Sequence, residues 1–177
     1  IVYLGERECS IQRRHQKIIE ESPSPRLNNE LREKITQTAV HLCEKLKYES
    51  AGTVEFIFDE DTNEFWFLEV NTRLQVEHPV TEMVTGIDLV KEQISIADGN
   101  KLNFIQNDIH SNGHAIEARL YAENPENNFL PEIGTISRLF YPNNNGIRWD
   151  TGIESGSEVS PKYDPMLAKV ISFGEDR

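Results

Sequence analysis

Glu69-Val-Asn-Thr-Arg-Leu-Gln-Val-Glu-His-Pro-Val-Thr-Glu82 is the stretch on which the reading of this chain turns. Its polar residues fall at every second position, Glu69, Asn71, Arg73, Gln75 and Glu77, while Val70, Thr72, Leu74 and Val76 take the places between. A period of two belongs to extended backbone, so the spacing predicts one strand edge presenting all five polar side chains in one direction. A plain solvated strand has the same pattern. Here, however, the row runs into His78-Pro79 with apolar residues on its reverse face, which suggests the wall of a site. Such a wall offers a metal ligand at one end, a guanidinium fork for an oxyanion in the middle and a carboxylate general base at the other.

Just upstream, residues 52–58 and 65–71 are rich in β-branched and aromatic residues and flank the acidic turn Asp59 to Glu64, which predicts a hairpin. Symmetric pairing about Thr62 sets Glu55 opposite Glu69, Ile57 opposite Phe67 and Glu60 opposite Glu64. Like charges facing each other destabilise a strand pair, so Glu55 and Glu69 are expected to share a cation. Hard carboxylate oxygens with no His or Cys nearby favour Mg2+ or Mn2+, and Mg2+ usually arrives with substrate phosphates. A solvated face in another register is the alternative, because hairpin register depends on the turn.

Further out, Ile1 to Leu4 and Ser10 to Ile19 read as extended segments, and Ser22-Pro23-Ser24-Pro25 breaks the chain. Read as strand, Arg13, His15 and Lys17 share one face, with Gln12, Arg14 and Gln16 on the other. This basic cluster is either a rim balancing the net charge or, beside a carboxylate-held metal, a phosphate or substrate-anion contact. A one-sided stripe (Leu31, Ile35, Ala39, Leu42, Leu46) predicts a helix capped at Asn28 or Asn29 and ending before Gly52. Pro79 opens a short helix to about Thr85, and Asp88 caps another that Gly99 closes. Asn100 to Gly113 is a polar seam; strands are expected around 115–121, 134–140, 147–150 and 167–173. In the first of these, Glu117 and Arg119 share one face opposite Ile116, Ala118 and Leu120. Trp66 and Trp149 read as packing, His41 as structural, His110 and His114 as without function, and Tyr163-Asp-Pro-Met166 as a turn.

Composition narrows the classes. The 177 residues hold 30 acidic against 18 Lys and Arg, a formal charge of −12, which argues against nucleic acid or an anionic membrane as the main partner. Cys9 and Cys43, with no CxxC pair, suggest neither a disulfide framework nor a cysteine zinc site, and fit a reducing compartment. No apolar run approaches a membrane span, and the start resembles no signal peptide. With no initiator Met, the chain reads as a piece of a longer protein.

The Glu69–Glu82 stretch resembles the signature of biotin carboxylase, the ATP-grasp component of biotin-dependent carboxylases. Glu6-Arg-Glu-Cys-Ser-Ile-Gln-Arg-Arg-His-Gln-Lys17, Ala51-Gly-Thr-Val-Glu-Phe56 and Gly113-His-Ala-Ile-Glu-Ala-Arg119 match further blocks of that family in order. Phe129-Leu-Pro131, Gly134-Thr-Ile136 and Tyr163-Asp-Pro-Met166 look like its C-terminal domain. The resemblance implies an α+β chain: the C-terminal half of an ATP-grasp domain over residues 1–105, an antiparallel sheet flanked by helices. Part of the biotin carboxylase C-terminal domain follows over 106–177, and the chain is incomplete at both ends. The family's N-terminal domain and most of its glycine-rich lid would precede Ile1, so the isolated piece is expected to be inactive and to bind Mg-ATP weakly.

The activity implied is carboxylation of biotin by ATP and bicarbonate through carboxyphosphate, the first half-reaction of a biotin-dependent acyl-CoA carboxylase. Carried over position by position, the resemblance makes Glu55 and Glu69 ligands of two Mg2+ or Mn2+ ions on ATP, with Asn71 assisting. Lys17 and Arg73 would meet bicarbonate and its phosphorylated form, with Gln75 and the Val76 backbone helping. Glu77 would be the base that deprotonates bicarbonate, and Arg119 the cation that stabilises the enolate form of biotin. Gln12, His15 and Ile57 correspond to nucleotide contacts. No Ala-Met-Lys-Met biotinylation sequence is present, so biotin is expected on a carrier domain or subunit, with a carboxyltransferase acting next. A homodimer or larger complex is expected, in the cytoplasm or, for a eukaryotic source, the mitochondrial matrix. The Phe129–Ile136 stretch leans toward methylcrotonyl-CoA or related acyl-CoA enzymes.

Two rivals stand beside this reading. Another ATP-grasp ligase that activates a different carboxylate would share the metal carboxylates but would not need Arg73, Gln75 and Glu77 together with Arg119. A non-catalytic module would retain only binding.

Overall fold

The structure, a computed structural model, describes residues 1–142 and 146–177. It is built on one antiparallel sheet of five strands, and the strands that form it are far apart in the chain. β1 (Glu8–Arg13) and β2 (Gln16–Ser22) form a hairpin at one edge. β2 pairs with β3 (His114–Tyr121), which pairs with β4 (Met166–Gly174), and β5 (Ile147–Thr151) closes the other edge. The sheet thus takes two strands from before residue 105 and three from after it. A separate two-stranded hairpin pairs β6 (Thr53–Asp59) with β7 (Glu64–Asn71), and two further pairs of two-residue strands lie between residues 123 and 159.

Among the described residues three α-helices complete the frame. α1 (Asn29–Lys45) starts as its stripe predicts: the Asn28 side chain accepts the Leu31 backbone N–H, filling one of the orphan donors of the first turn. Its buried face carries Leu31 and Ile35. α2 (His78–Thr85) has Pro79 in its first turn and ends at Gly86, whose φ of 72° suits a residue without Cβ. α3 (Leu89–Ala97) is capped by Asp88, which accepts from the Lys91 N–H. α2 lies across β2, β3 and β4, and the buried core of Val80, Val84, Ala115 and Ile171 joins it to the sheet, with Met83 and Phe173 packed around. His78-Pro79 and Val80 therefore fix where the end of the Glu69–Glu82 stretch sits relative to the sheet.

Several expectations need correction. Residues 1–4 form no strand. Ser10 to Ile19 is a hairpin, not one strand: Arg14 and His15 both have positive φ (52° and 63°), making the two-residue turn that matches the twist of paired strands, without the Gly or Asn that would have advertised it. The faces assigned by alternation fail accordingly. One extra residue, Ile18, lies between the pairs Gln12–Lys17 and Ile11–Ile19. Such a bulge turns two successive side chains the same way, so Lys17 and Glu20, which strict alternation would part, reach the same cluster.

The second hairpin keeps the expected pairs Thr53–Asn71, Val54–Val70 and Glu55–Glu69, then shifts by one residue at Leu68. Ile57 consequently faces Trp66 rather than Phe67, and Asp59 rather than Glu60 faces Glu64. Phe56 stacks edge-on with Phe65 and Phe67, at centroid distances of 5.4 and 6.4 Å. Trp66 is half exposed on the two-stranded hairpin, and His41 is exposed, so neither is core. The strand expected over 134–140 shrinks to Gly134–Thr135. The Glu69–Glu77 row is not a single strand either: β7 ends at Asn71, where β6 ceases to offer a partner, and the chain bends before α2.

Candidate active site

That bend gathers the site. β7 brings Asn71, the segment beyond it brings Gln75, and Glu77 occupies the N-cap position of α2. β2 supplies Lys17, β6 supplies Glu55 and β3 supplies Arg119. Lys17 Nζ donates to Glu77 Oε1 at 2.7 Å and to Glu55 Oε1 at 3.0 Å. The same Glu55 oxygen accepts from Gln75 Nε2 at 2.5 Å and Asn71 Nδ2 at 3.1 Å, while Asn71 Nδ2 also reaches Glu69 Oε1 at 2.9 Å. Arg119 donates to Glu77 Oε2 at 3.1 Å, so the two oxygens of Glu77 are divided between two cations.

Burial sets the electrostatics. Only 2% of Glu77 is exposed, and burial alone would raise its pKa, but the Lys17 hydrogen bond and charge outweigh it and hold the carboxyl below its ordinary value. Burial would likewise lower Lys17 and Arg119, and their carboxylate partners, Glu77 and Glu55 for Lys17 and Glu20 first for Arg119, raise both instead. Cys9, whose Sγ lies 3.9 Å from Glu77 Oε1, is pushed up by burial to about 12, so it stays a thiol near neutral pH.

Glu55 and Glu69 are opposed as expected, tethered through one amide. Among the described residues no group of three or more His, Cys, Asp and Glu is arranged to hold a metal. Two carboxylates and an amide on one face nevertheless fit a hard cation whose remaining positions are filled by phosphate oxygens.

Arg73 is not brought in: it is exposed, and among the described residues its guanidinium meets only the Leu74 carbonyl, at 3.4 Å. Gln12, His15 and Ile57 lie exposed at the rim, Gln12 donating to the Cys9 carbonyl at 3.0 Å. The Val76 carbonyl accepts from Lys169 Nζ at 3.0 Å. Three contributors escaped the sequence reading. Arg7, which that reading includes only as part of the Glu6–Lys17 block, holds Gln75 Oε1 at 2.8 Å, Thr53 Oγ1 at 3.0 Å and Thr81 Oγ1 at 3.1 Å, and so clamps both hairpin and helix. Glu20 accepts Arg119 Nε at 2.7 Å, and Lys169 bridges Val76 to Asp150 at 3.3 Å. Adjacent acids such as Glu20-Glu21 look like surface, and no local pattern marks them otherwise.

Residues 1–105 match the family described as carbamoyl-phosphate synthase L chain, ATP binding domain, and residues 117–177 match the biotin carboxylase C-terminal domain. The chain is 55% identical over 176 residues to biotin carboxylase 2 of Bacillus subtilis, covering 99% of this chain and 39% of that protein. It is 54% identical over 177 residues to the mitochondrial methylcrotonoyl-CoA carboxylase subunit alpha of Mus musculus, covering 99% of this chain and 24% of that one. It therefore spans well under half the length of either relative. Among solved structures, the biotin carboxylase domain dimer of Hydrogenobacter thermophilus 2-oxoglutarate carboxylase superposes with a TM-score of 0.96 at 48% identity, over 99% of this chain and 38% of that one. That structure is a complex with MgADP, ADP and bicarbonate.

Proposed function

The chain belongs to the biotin carboxylase family, and from that premise we propose that the full-length protein carboxylates biotin with ATP and bicarbonate as co-substrates. One observation carries the reading: Lys17, Glu55, Gln75, Glu77 and Arg119, from three strands, a connecting segment and a helix start, converge in one hydrogen-bonded cluster. We assign residues 1–105 to the nucleotide-handling part and 106–177 to the C-terminal domain that contributes Arg119.

In this scheme Glu55, Glu69 and Asn71 hold one or two Mg2+ or Mn2+ ions, which neutralise phosphate charge when bound. Gln12, His15 and Ile57 line the nucleotide's edge. Bicarbonate enters between Lys17 and Arg73, steadied by Gln75 and the Val76 backbone. An anion arriving there competes with Glu77 for Lys17. Once Lys17 is drawn off, burial raises the Glu77 pKa again, turning a poor base into one able to take the bicarbonate proton. Arg119 binds and orients the biotin ureido group through the guanidinium that Glu20 fixes. Biotin, brought by a carrier domain or subunit, supplies the nitrogen that accepts the carboxyl group. A carboxyltransferase would then deliver it, with an acyl-CoA as the acceptor, in a homodimer or larger complex of the cytoplasm or mitochondrial matrix. Among the described residues no helix is long and apolar enough to cross a membrane.

Phosphate release from ATP by the full-length protein tests this. The rate should require bicarbonate and rise with free biotin, and Arg119→Ala should spare the bicarbonate-dependent part while abolishing carboxyl transfer. A rate indifferent to both additions in folded protein would overturn the function, and equal loss of both activities in Arg119→Ala would overturn the role of that residue.

A further inference from the structure

Behind Arg119 the sheet buries two acids for which the scheme above has no proton assignment. Glu20 on β2 and Glu117 on β3 are direct cross-strand partners, and both are fully buried, at 0% exposure. Glu20 Oε1 accepts from Arg119, but Glu20 Oε2 and both oxygens of Glu117 have no hydrogen-bond partner among the described residues. Paired positions of an antiparallel ladder set Cβ atoms about 5 Å apart. Two ionised carboxylates cannot be held at that distance away from water, so a proton remains on the pair.

The charged groups acting on Glu117 are Lys169 from β4, Glu20 from β2, Arg119 from β3 and Glu77 from the start of α2, and Lys17 of β2 acts on Glu20 as well. Lys169 is committed to the Val76 carbonyl and Asp150, and Lys17 to Glu55 and Glu77. Among the described residues only Arg119 is bonded through its side chain to either acid, and it is bonded to Glu20. Burial raises the Glu20 carboxyl too, but the charge and hydrogen bond of Arg119 work against that rise, so Glu20 is the member that keeps its charge, and Glu117, to which no described residue donates a hydrogen bond, is the member that keeps the proton.

We propose that Glu20 and Glu117 are a one-proton dyad that positions Arg119, with ionised Glu20 as its anchor and protonated Glu117 keeping the net charge behind the guanidinium from turning negative. The inference rests on the assignment of Arg119 to biotin. Burial pushes the Glu117 carboxyl up to about 8. Below that pH the carboxylates bonded to Arg119 are Glu20 and Glu77; above it a third carboxylate competes, and the positive field Arg119 presents to the site weakens. Both acids are positioning residues, since neither touches substrate.

Infrared titration of the full-length protein tests the proton directly. A protonated carboxyl band should be present at neutral pH, disappear with a midpoint near pH ~8 and be missing from Glu117→Gln. The second readout is the pH profile of ATP cleavage. The biotin-stimulated part should fall above about pH 8, and Glu117→Gln should move that alkaline limb up by at least about one pH unit. The bicarbonate-only part should keep its limb in both proteins. Glu20→Gln should raise the biotin KM about tenfold or more, with partial recovery in Glu20→Asp. An infrared band that is absent, or an alkaline limb unmoved by Glu117→Gln, overturns the dyad. If the wild-type protein shows no bicarbonate-dependent cleavage, the function has failed, and the infrared titration still decides the dyad. If Glu117→Gln does not fold, the wild-type titration decides alone.

Discussion

Replacing Lys17 by methionine in the full-length protein removes one of two cations from a buried acid and keeps most of the aliphatic volume. Lys17 Nζ lies 2.7 Å from Glu77 Oε1, and the side chains of the two residues are 19% and 3% exposed. Removing one partner of a buried ion pair commonly costs about 3–5 kcal/mol, because the charge left behind is desolvated and uncompensated. Two features reduce that here: Arg119 still meets Glu77 at 3.1 Å, and the lysine retains some water. We expect a loss of about 2 kcal/mol near neutral pH.

The pH dependence carries the sign. In the wild-type protein the Glu77 pKa lies below its ordinary value, so its contribution is present above the unfolded carboxyl pKa of about 4.3 and is lost as pH falls through the folded one. Without Lys17, burial dominates, the folded pKa moves above the unfolded one, and stability falls as pH rises from about 4.3 through neutrality. Lys17 itself, with a raised pKa, stays charged throughout that range. The difference between Lys17→Met and wild type in urea unfolding should therefore widen from about pH 5 to about pH 8. Adding Glu77→Gln should recover more than half of the loss, because the second change removes the stranded charge. An equal loss at both pH values, with no recovery in the double variant, would refute the account.

Two other outcomes probe the frame. Ile171→Ala, at a fully buried position beneath Val80 and Val84, should cost about 2–5 kcal/mol and lower the thermal midpoint, whereas Ile171→Val should cost about 1 kcal/mol. Asn28→Ala removes the acceptor for the Leu31 N–H and should cost about 1 kcal/mol, largely recovered in Asn28→Ser, as read from urea midpoints.

The parts of the fold that were legible are those with local causes. The Leu31–Ile35 stripe with its Asn28 cap, Pro79 in the first turn of α2, and Asp88 ahead of α3 each satisfy backbone groups within a few residues, so composition and spacing reveal them. The Glu55–Glu69 opposition was also legible, because the first pairs of that hairpin follow simple counting. The turn at Arg14-His15 and the bulges at Ile18 and Leu68 were not. A positive φ at arginine or histidine, or one extra residue in a ladder, is imposed by the partner strand and leaves no mark in the residue types.

The candidate site divides in the same way. Alternation along Glu69–Glu77 and the match of that stretch to a family identified which side chains to watch, and those identities belong to the sequence alone. Which of them meet belonged to the tertiary structure. β7 runs out of partner at Asn71, the chain bends, and Gln75 and Glu77 swing toward Lys17 while Arg73 stays in solvent. Glu20, Glu117 and Lys169 gain their roles only because strands far apart in the chain are paired in one sheet, and Arg7 gains its role because the tertiary fold sets it against the second hairpin, the Gln75 segment and α2. Pairing places their charges behind the site and removes them from water, and burial and cross-strand distance are quantities that no stretch of sequence contains.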